Sequence, residues 1–216
     1  MKVSIIIPCY NEQSTIKEII KKINLIRDLN KEIIVIDDCS SDNTREILQN
    51  ELKGSIHKIV LNEKNYGKGY SIRKGIEVSS GDCILIPAAD LEYDPSDYNN
   101  LLSPIINNIA DVVYGSRFVG SSEKRVLYFW HTVGNKFLTI LSNMFSNLNL
   151  TDMEVGYKVF RSDVIKNIFL KENRFGFEPE ITAKIAKKNI RIYEVGIKYV
   201  GRKYSEGKKI TWKDGF

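Results

Sequence analysis

The sequence has few of the residues that staple or metallate a small fold. Its three cysteines, Cys9, Cys39 and Cys83, form no CxxC pair and no cluster with the two histidines. An odd, dispersed set of this kind excludes a disulfide framework and a cysteine-based zinc site, and reads as reduced, buried thiols of a cytosolic protein. No uninterrupted apolar stretch reaches the roughly 20 residues that span a bilayer. Only Lys2 precedes the first strand-like run, so no secretory signal is expected. An excess of one charge is also lacking: 32 Lys and Arg against 27 Asp and Glu leave +5. That bias suits phosphate-bearing ligands or an anionic membrane surface, and is too weak to argue for a nucleic-acid partner. Internal repeats and low-complexity linkers are missing too. What remains is a 216-residue chain, 43% apolar and 27% charged, long enough to bury a core without staples as one α/β domain.

The stretch that organises it is Gly81–Pro95, GDCILIPAADLEYDP. Cys83–Ile86 has the length and composition of a buried strand. After the small pair Ala88-Ala89 come three acids, Asp90, Glu92 and Asp94. Alternate residues of an extended backbone point the same way, so Asp90 and Glu92 share a face with Ala88. Carboxylates at the carboxyl end of such a strand stand where open α/β sheets bind ligands. Their hard oxygens suit Mg²⁺ or Mn²⁺ completed by substrate phosphates. An acidic, proline-terminated turn without a ligand would read the same way in isolation.

Earlier in the chain, Lys2–Pro8 and Glu32–Asp38 are apolar, β-branched runs that predict central strands. Between them, Ser14 is a candidate cap for a helix with Ile16, Ile19, Ile20, Ile23 and Ile26 at helical spacing. A short helix over Thr44–Leu52, a strand over Ile56–Leu61 and a helix from the Asn65–Gly69 loop through Val78 follow. After the organising strand come a helix near Tyr98–Ile109 and a strand at Asp111–Tyr114. This alternation predicts a mostly parallel sheet with helices on both faces. Right-handed crossovers would set Tyr10, Asp38 and Asp90 on one rim.

From Gly115 the pattern changes. Val126–Leu148 reads as one or two amphipathic helices, packed on the sheet edge or, less simply, lying in a membrane interface. Asp152–Phe160 ends as a strand, Phe175–Lys187 is a helix carrying Glu178 and Glu180, and Ile190–Val200 is a last strand. A basic tail with Arg202, Lys203, Lys208 and Lys209 precedes Trp212–Phe216. The single domain thus divides into two halves, 1–115 and 116–216.

Six segments, taken in order, resemble family 2 glycosyltransferases of the nucleotide-diphosphosugar (GT-A-like) fold. They are IIIPCYNE at 5–12, EIIVIDDCSSDNT at 32–44, NYGKG at 65–69, AADLEYDP at 88–95, GSR at 115–117 and DMEVGYK at 152–158. The nearest likeness is to the dolichyl-phosphate mannose synthase and polyprenyl-phosphate glycosyltransferase branch. The resemblance implies a nucleotide-sugar pocket lined by Pro8, Tyr10, Glu12, Ile36, Asp38, Ala88, Ala89 and Asp90. It implies a divalent metal held by Asp90 with help from Glu92, bridging the diphosphate as charge builds on the leaving group. Arg117 and Arg202 are the candidates for gripping an acceptor or donor phosphate. Lys68 could add charge there, though a solvated loop lysine is the simpler reading. Asp152 occupies the acceptor side: a base for a hydroxyl acceptor, a positional residue for a lipid phosphate, which is already ionised. The family usually has Asp-x-Asp where this chain has Ala88-Ala89-Asp90. The first carboxylate is missing.

The leading expectation is an inverting, metal-dependent glycosyltransferase. It would move a sugar from a nucleoside-diphosphate sugar to a polyprenyl phosphate, peripherally at the cytoplasmic face of a membrane. Two alternatives stand beside it: transfer to a glycan hydroxyl, and a nucleotide-sugar-binding relative that has lost catalysis, which rests on Ala88.

Overall fold

The computed structural model describes residues 1–120, 125–126 and 128–201. Its centre is a seven-stranded sheet. The strands are β1 (Val3–Cys9), β2 (Lys31–Asp37), β3 (Lys58–Leu61), β4 (Cys83–Ile86), β5 (Val112–Ser116), β6 (Lys158–Arg161) and β7 (Ile192–Gly196). They lie in the order β3-β2-β1-β4-β6-β5-β7. β6 runs antiparallel to both its neighbours, and every other pairing is parallel. β6 comes from the second half of the chain yet lies between β4 and β5 of the first, so a single sheet unites the two halves.

The reason β1 and β2 are central is visible residue by residue. Ile5, Ile6 and Ile7 point alternately to opposite faces, and all are fully buried. Burial on both faces requires cover on both, which is what continuous apolar strands of a parallel sheet imply. One cover is α1 (Ile16–Leu25), whose Ile16, Ile19, Ile20 and Ile23 form its buried stripe. Ser14 does not cap it; Thr15 holds that position, with its hydroxyl on Glu12 Oε2 at 2.6 Å. Another cover is α3 (Lys68–Val78), which packs so closely on β1 that a Cβ on Gly75 would meet Ile6 Cγ2 at 2.2 Å. The sheet steps one way through β1, β2 and β3 and reverses at β4, and right-handed crossovers then place α1 and α3 on opposite faces. The reversal leaves the carboxyl ends of β1, β2 and β4 on one rim.

Other elements depart from the sequence reading. The segment 44–52 is one α-turn, α2 (Thr44–Glu46), continuing as a π-turn over Ile47–Glu51. The region after β4 carries a 3₁₀ turn, Pro95–Asp97, before α4 (Tyr98–Ile106). A short helix after β6, α6 (Ser162–Lys166), precedes α7 (Phe177–Ala186). Of the three free thiols, Cys9 and Cys83 are buried, and burial pushes the Cys83 thiol up to about 12. Cys39 is only half-buried.

The expectation that 126–148 packs on the sheet edge is corrected. This region forms one helix, α5 (Phe129–Ser146), whose only buried residue is Thr139. Trp130 is 79% exposed, Phe137 57% and Phe145 89%. It meets α7, its Leu138 packs against the core, and nothing among the described residues covers the opposite side. No helix among the described residues is long and apolar enough to cross a membrane. The basic tail lies outside the described residues, and Arg202 with it.

Candidate active site

Three loops leave the rim formed by β1, β2 and β4. The first, Tyr10–Glu12, is held to the second through side chains: Glu12 N–H donates to Thr44 Oγ1 at 2.9 Å and Asn11 N–H to Ser40 Oγ at 2.9 Å. Glu12 is buried, Pro8 is partly covered, and Tyr10 is 42% exposed at the rim. Ile36, paired in register with Pro8, is fully buried, so its side chain is core rather than pocket wall.

Asp38 follows the second strand and organises the NYGKG loop. Its Oδ1 accepts from Asn62 Nδ2 at 2.8 Å and Tyr66 N–H at 3.0 Å, and its Oδ2 accepts from Gly67 N–H at 2.7 Å. These N–H groups lie at the entrance of α3, where a carboxylate also complements the helix dipole. The backbone at 172–174 leaves no room for a side chain at the loop's glycines. A Cβ on Gly69 would stand 2.4 Å from the Glu172 carbonyl, and Gly67, at φ +103°, would place one 2.5 Å from the Asn173 carbonyl. Lys68 is not a solvated loop lysine: it is the first residue of α3 and is ion-paired with the buried Glu178 of α7.

Beneath that pair lies Lys158 at the start of β6. It is fully buried, its ammonium donates to the Val155 carbonyl, and it stands 5.1 Å over the Tyr114 ring. Burial lowers its pKa to about 8, against the opposing pull of Glu178. Burial likewise raises the Glu154 carboxyl, with Glu178 adding to the effect. The Glu178 Oε2 atom is buried without a hydrogen-bond partner.

The third loop carries the acids. Leu91 takes a left-handed conformation at φ +57°, which reverses the chain between Asp90 and Glu92, and Glu92 N–H donates to Asp90 Oδ1 at 3.2 Å. Ala88 and Ala89 pack against or within the core. Glu92 is mostly covered, and its Oε2 accepts from the Tyr199 hydroxyl at 3.1 Å. No group of three or more His, Cys, Asp or Glu gathers anywhere among the described residues. Asp90 and Glu92, the two expected ligands, would leave most of the shell of Mg²⁺ or Mn²⁺ to substrate phosphates and water, the way such ions are commonly held.

On the other side of the site, Asp152 is fully buried in a bidentate pair with Arg117. Nε donates to Oδ2 at 2.7 Å, Nη2 to Oδ1 at 2.6 Å, and the Arg117 backbone N–H to Oδ2 at 3.0 Å. Glu194 of β7 holds this loop by accepting from the N–H groups of Thr151 and Asp152 at 2.8 and 3.2 Å. The Arg117 side chain is 13% exposed and lies with its Cζ 5.3 Å from the Tyr199 ring. An aspartate holding an arginine in this way orients a cation; it does not present an open carboxylate to a hydroxyl.

Residues 4–169 match the family described as glycosyl transferase family 2. The chain belongs to that family. The family 2 chain is 30% identical over 217 residues to a dolichol-phosphate mannosyltransferase of Pyrococcus furiosus, with 97% of this chain and 61% of that protein covered. It spans about three fifths of that relative's length. It is 29% identical over 232 residues to a UDP-N-acetylglucosamine–dolichyl-phosphate N-acetylglucosaminyltransferase of Methanococcus voltae, covering 98% and 91% of the two chains. Among solved structures, the Mn²⁺ and UDP complex of glucosyl-3-phosphoglycerate synthase from Mycobacterium tuberculosis superposes with a TM-score of 0.70 at 18% identity. That match covers 95% of this chain and 74% of the other. The mannosyl-3-phosphoglycerate synthase of Rubrobacter xylanophilus gives 0.74 at 19%, covering 94% and 67%. These neighbours share the GT-A fold of this family 2 chain.

Sequence reading missed Tyr199, Tyr93, Glu194, Lys158 and Glu178 as members of the site. A lysine inside an otherwise apolar strand, YKVF at 157–160, was the one local signal available. The others are recruited by pairings across 40 to 110 residues that no local pattern encodes.

Proposed function

We propose that this chain transfers a sugar, with inversion, from a nucleoside-diphosphate sugar to a polyprenyl phosphate. The observation that carries this reading is the buried Asp152–Arg117 pair. A hydroxyl acceptor needs a base to take its proton, and Asp152 is committed to Arg117. A phosphate acceptor arrives ionised and needs no base, and the guanidinium N–H donors that Asp152 leaves open on Arg117 suit its oxygens. In the reaction an oxygen of the lipid phosphate forms a bond to the anomeric carbon. The bond from that carbon to the diphosphate oxygen breaks, and the nucleoside diphosphate leaves with the electron pair; no proton is transferred to the protein. Arg117 would orient the acceptor phosphate, and the rim loops at Tyr10–Glu12 and Asp38 would hold the nucleoside. Asp90 and Glu92 would hold Mg²⁺ or Mn²⁺, which when bound offsets charge on the departing diphosphate.

The names of the relatives support a lipid phosphate as acceptor. So does α5, whose exposed Phe129, Trp130, Phe137, Ile140 and Phe145 have the character of an interfacial helix. With that helix on the membrane, the chain would act peripherally at its cytoplasmic face.

Ala88 favours a second reading, a nucleotide-sugar-binding chain with impaired turnover. Both are tested by offering UDP-, GDP- and dTDP-sugars with Mn²⁺ and a short-chain isoprenyl phosphate to the chain and to its Ala88→Asp variant. A sugar-phosphoryl-lipid product from the unchanged chain is expected. Nucleotide binding with product from the Ala88→Asp variant alone, or from neither form, would leave the impaired reading in its place.

A further inference from the structure

The segment after β7, Ile197–Gly201, is tied down on both sides. Lys198 N–H donates to Asp97 Oδ2 at 2.7 Å and Val200 N–H to the Glu92 carbonyl at 2.9 Å, on the side of the acidic turn. On the other side, Arg125 N–H donates to the Tyr199 carbonyl at 3.1 Å and Arg125 Nη1 to the Gly201 carbonyl at 3.0 Å. In the middle, Tyr199 forms an isolated antiparallel bridge with Tyr93, and the two rings lie 5.2 Å apart. Tyr93 in turn stacks on Tyr157 at 4.7 Å and accepts the Gly156 N–H at 3.2 Å. This backing fixes where the Tyr199 ring and hydroxyl point.

Tyr199 meets both halves of the site. Its hydroxyl donates to Glu92 Oε2 and also lies against the Arg117 side chain, whose guanidinium the ring faces and Asp152 grips from the other edge. We propose that Tyr199 is a positioning residue joining the two ends of the site: its hydroxyl fixes the Glu92 carboxylate, and its ring holds Arg117 toward the acceptor phosphate. This rests on the transfer reading above. Outer partners that orient a ligating carboxylate tune the affinity for the ion it holds. A ring against a partly desolvated guanidinium favours a single placement of that cation.

The two roles separate by substitution. Tyr199→Phe removes the hydroxyl and keeps the ring; Tyr199→Leu removes both. Calorimetry of Mn²⁺-dependent binding, using whichever of UDP, GDP and dTDP the unchanged chain binds best, reads the first role. The KM for a short-chain isoprenyl phosphate reads the second. Tyr199→Phe is expected to weaken the Mn²⁺ dependence about tenfold and to raise the acceptor KM less than Tyr199→Leu does, because the ring remains. Tyr199→Leu is expected to do the same to Mn²⁺ and to raise the acceptor KM about fivefold. A residue with a merely structural role would lower activity in both variants without this split. Mn²⁺ binding in Tyr199→Phe equal to or tighter than in the unchanged chain overturns the inference, and so does an acceptor KM raised equally in both variants. In either case the transfer reading survives if the unchanged chain makes product. An unchanged chain whose nucleotide binding ignores Mn²⁺ overturns the inference and the metal-assisted reading together.

Discussion

Lys158 sets up the sharpest test of the site's electrostatics. Its ammonium is fully buried and hydrogen-bonded to one carbonyl, that of Val155, with Glu178, Lys68, Glu154 and Asp152 as its charged neighbours. In the folded chain the proton leaves near pH 8, whereas an unfolded chain keeps it to the ordinary 10.5. Below pH 8 both states carry the charge, and the fold bears the whole penalty of burying it. Between 8 and 10.5 the unfolded state binds the extra proton, so stability rises with pH. The displacement from 10.5 to about 8 corresponds to about 3 kcal/mol. Lys158→Met keeps much of the volume and removes the titration. Urea unfolding at pH 7 and pH 10 should therefore show the native chain gaining about 2–3 kcal/mol relative to Lys158→Met as the pH is raised. Parallel pH profiles for the two proteins would refute the argument, and would mean that Glu178 and its neighbours keep the ammonium charged at its ordinary value.

Three further outcomes follow from contacts already described. Gly75→Ala should cost about 2 kcal/mol in urea unfolding, because the added methyl has no room between α3 and Ile6 of β1. Asp38→Ala should cost about 2 kcal/mol by the same measurement, since it strips the acceptor from the Tyr66 and Gly67 N–H groups and from Asn62. In flotation with anionic phospholipid vesicles the chain should bind, and the double substitution of Trp130 and Phe137 to Ser should weaken binding about tenfold or more. Unchanged flotation would remove α5 from the membrane contact.

The parts of the fold legible in the sequence were those with local causes. β1, β2 and β4 announce themselves because strands buried on both faces are unbroken apolar runs. α1 does so through its isoleucines at helical spacing. The place of β6 was not legible. KVFR carries a strand pattern, but nothing in it says that it inserts antiparallel between β4 and β5. α5 misled for a related reason: an apolar face looks the same whether protein or membrane covers it. At the candidate site, the ordered motifs pointed to the acids and to Arg117. The sequence left Asp152 open between base and positional residue, because the choice depends on where the Arg117 side chain turns. Tyr199 and Glu194 lay out of reach, since their roles exist only once β7 has paired with β5.

The central claim is that the acceptor is a phosphate and that Asp152 serves it through Arg117. The most direct measurement offers the chain one donor and Mn²⁺ with two acceptors of the same chain length, an isoprenyl phosphate and the corresponding isoprenol. Lipid products are then read by mass spectrometry. The account predicts a sugar-phosphoryl lipid from the phosphate and no glycoside from the alcohol. Transfer to the alcohol at a comparable rate, abolished by Asp152→Asn, would contradict it and make Asp152 the base of a hydroxyl-directed enzyme.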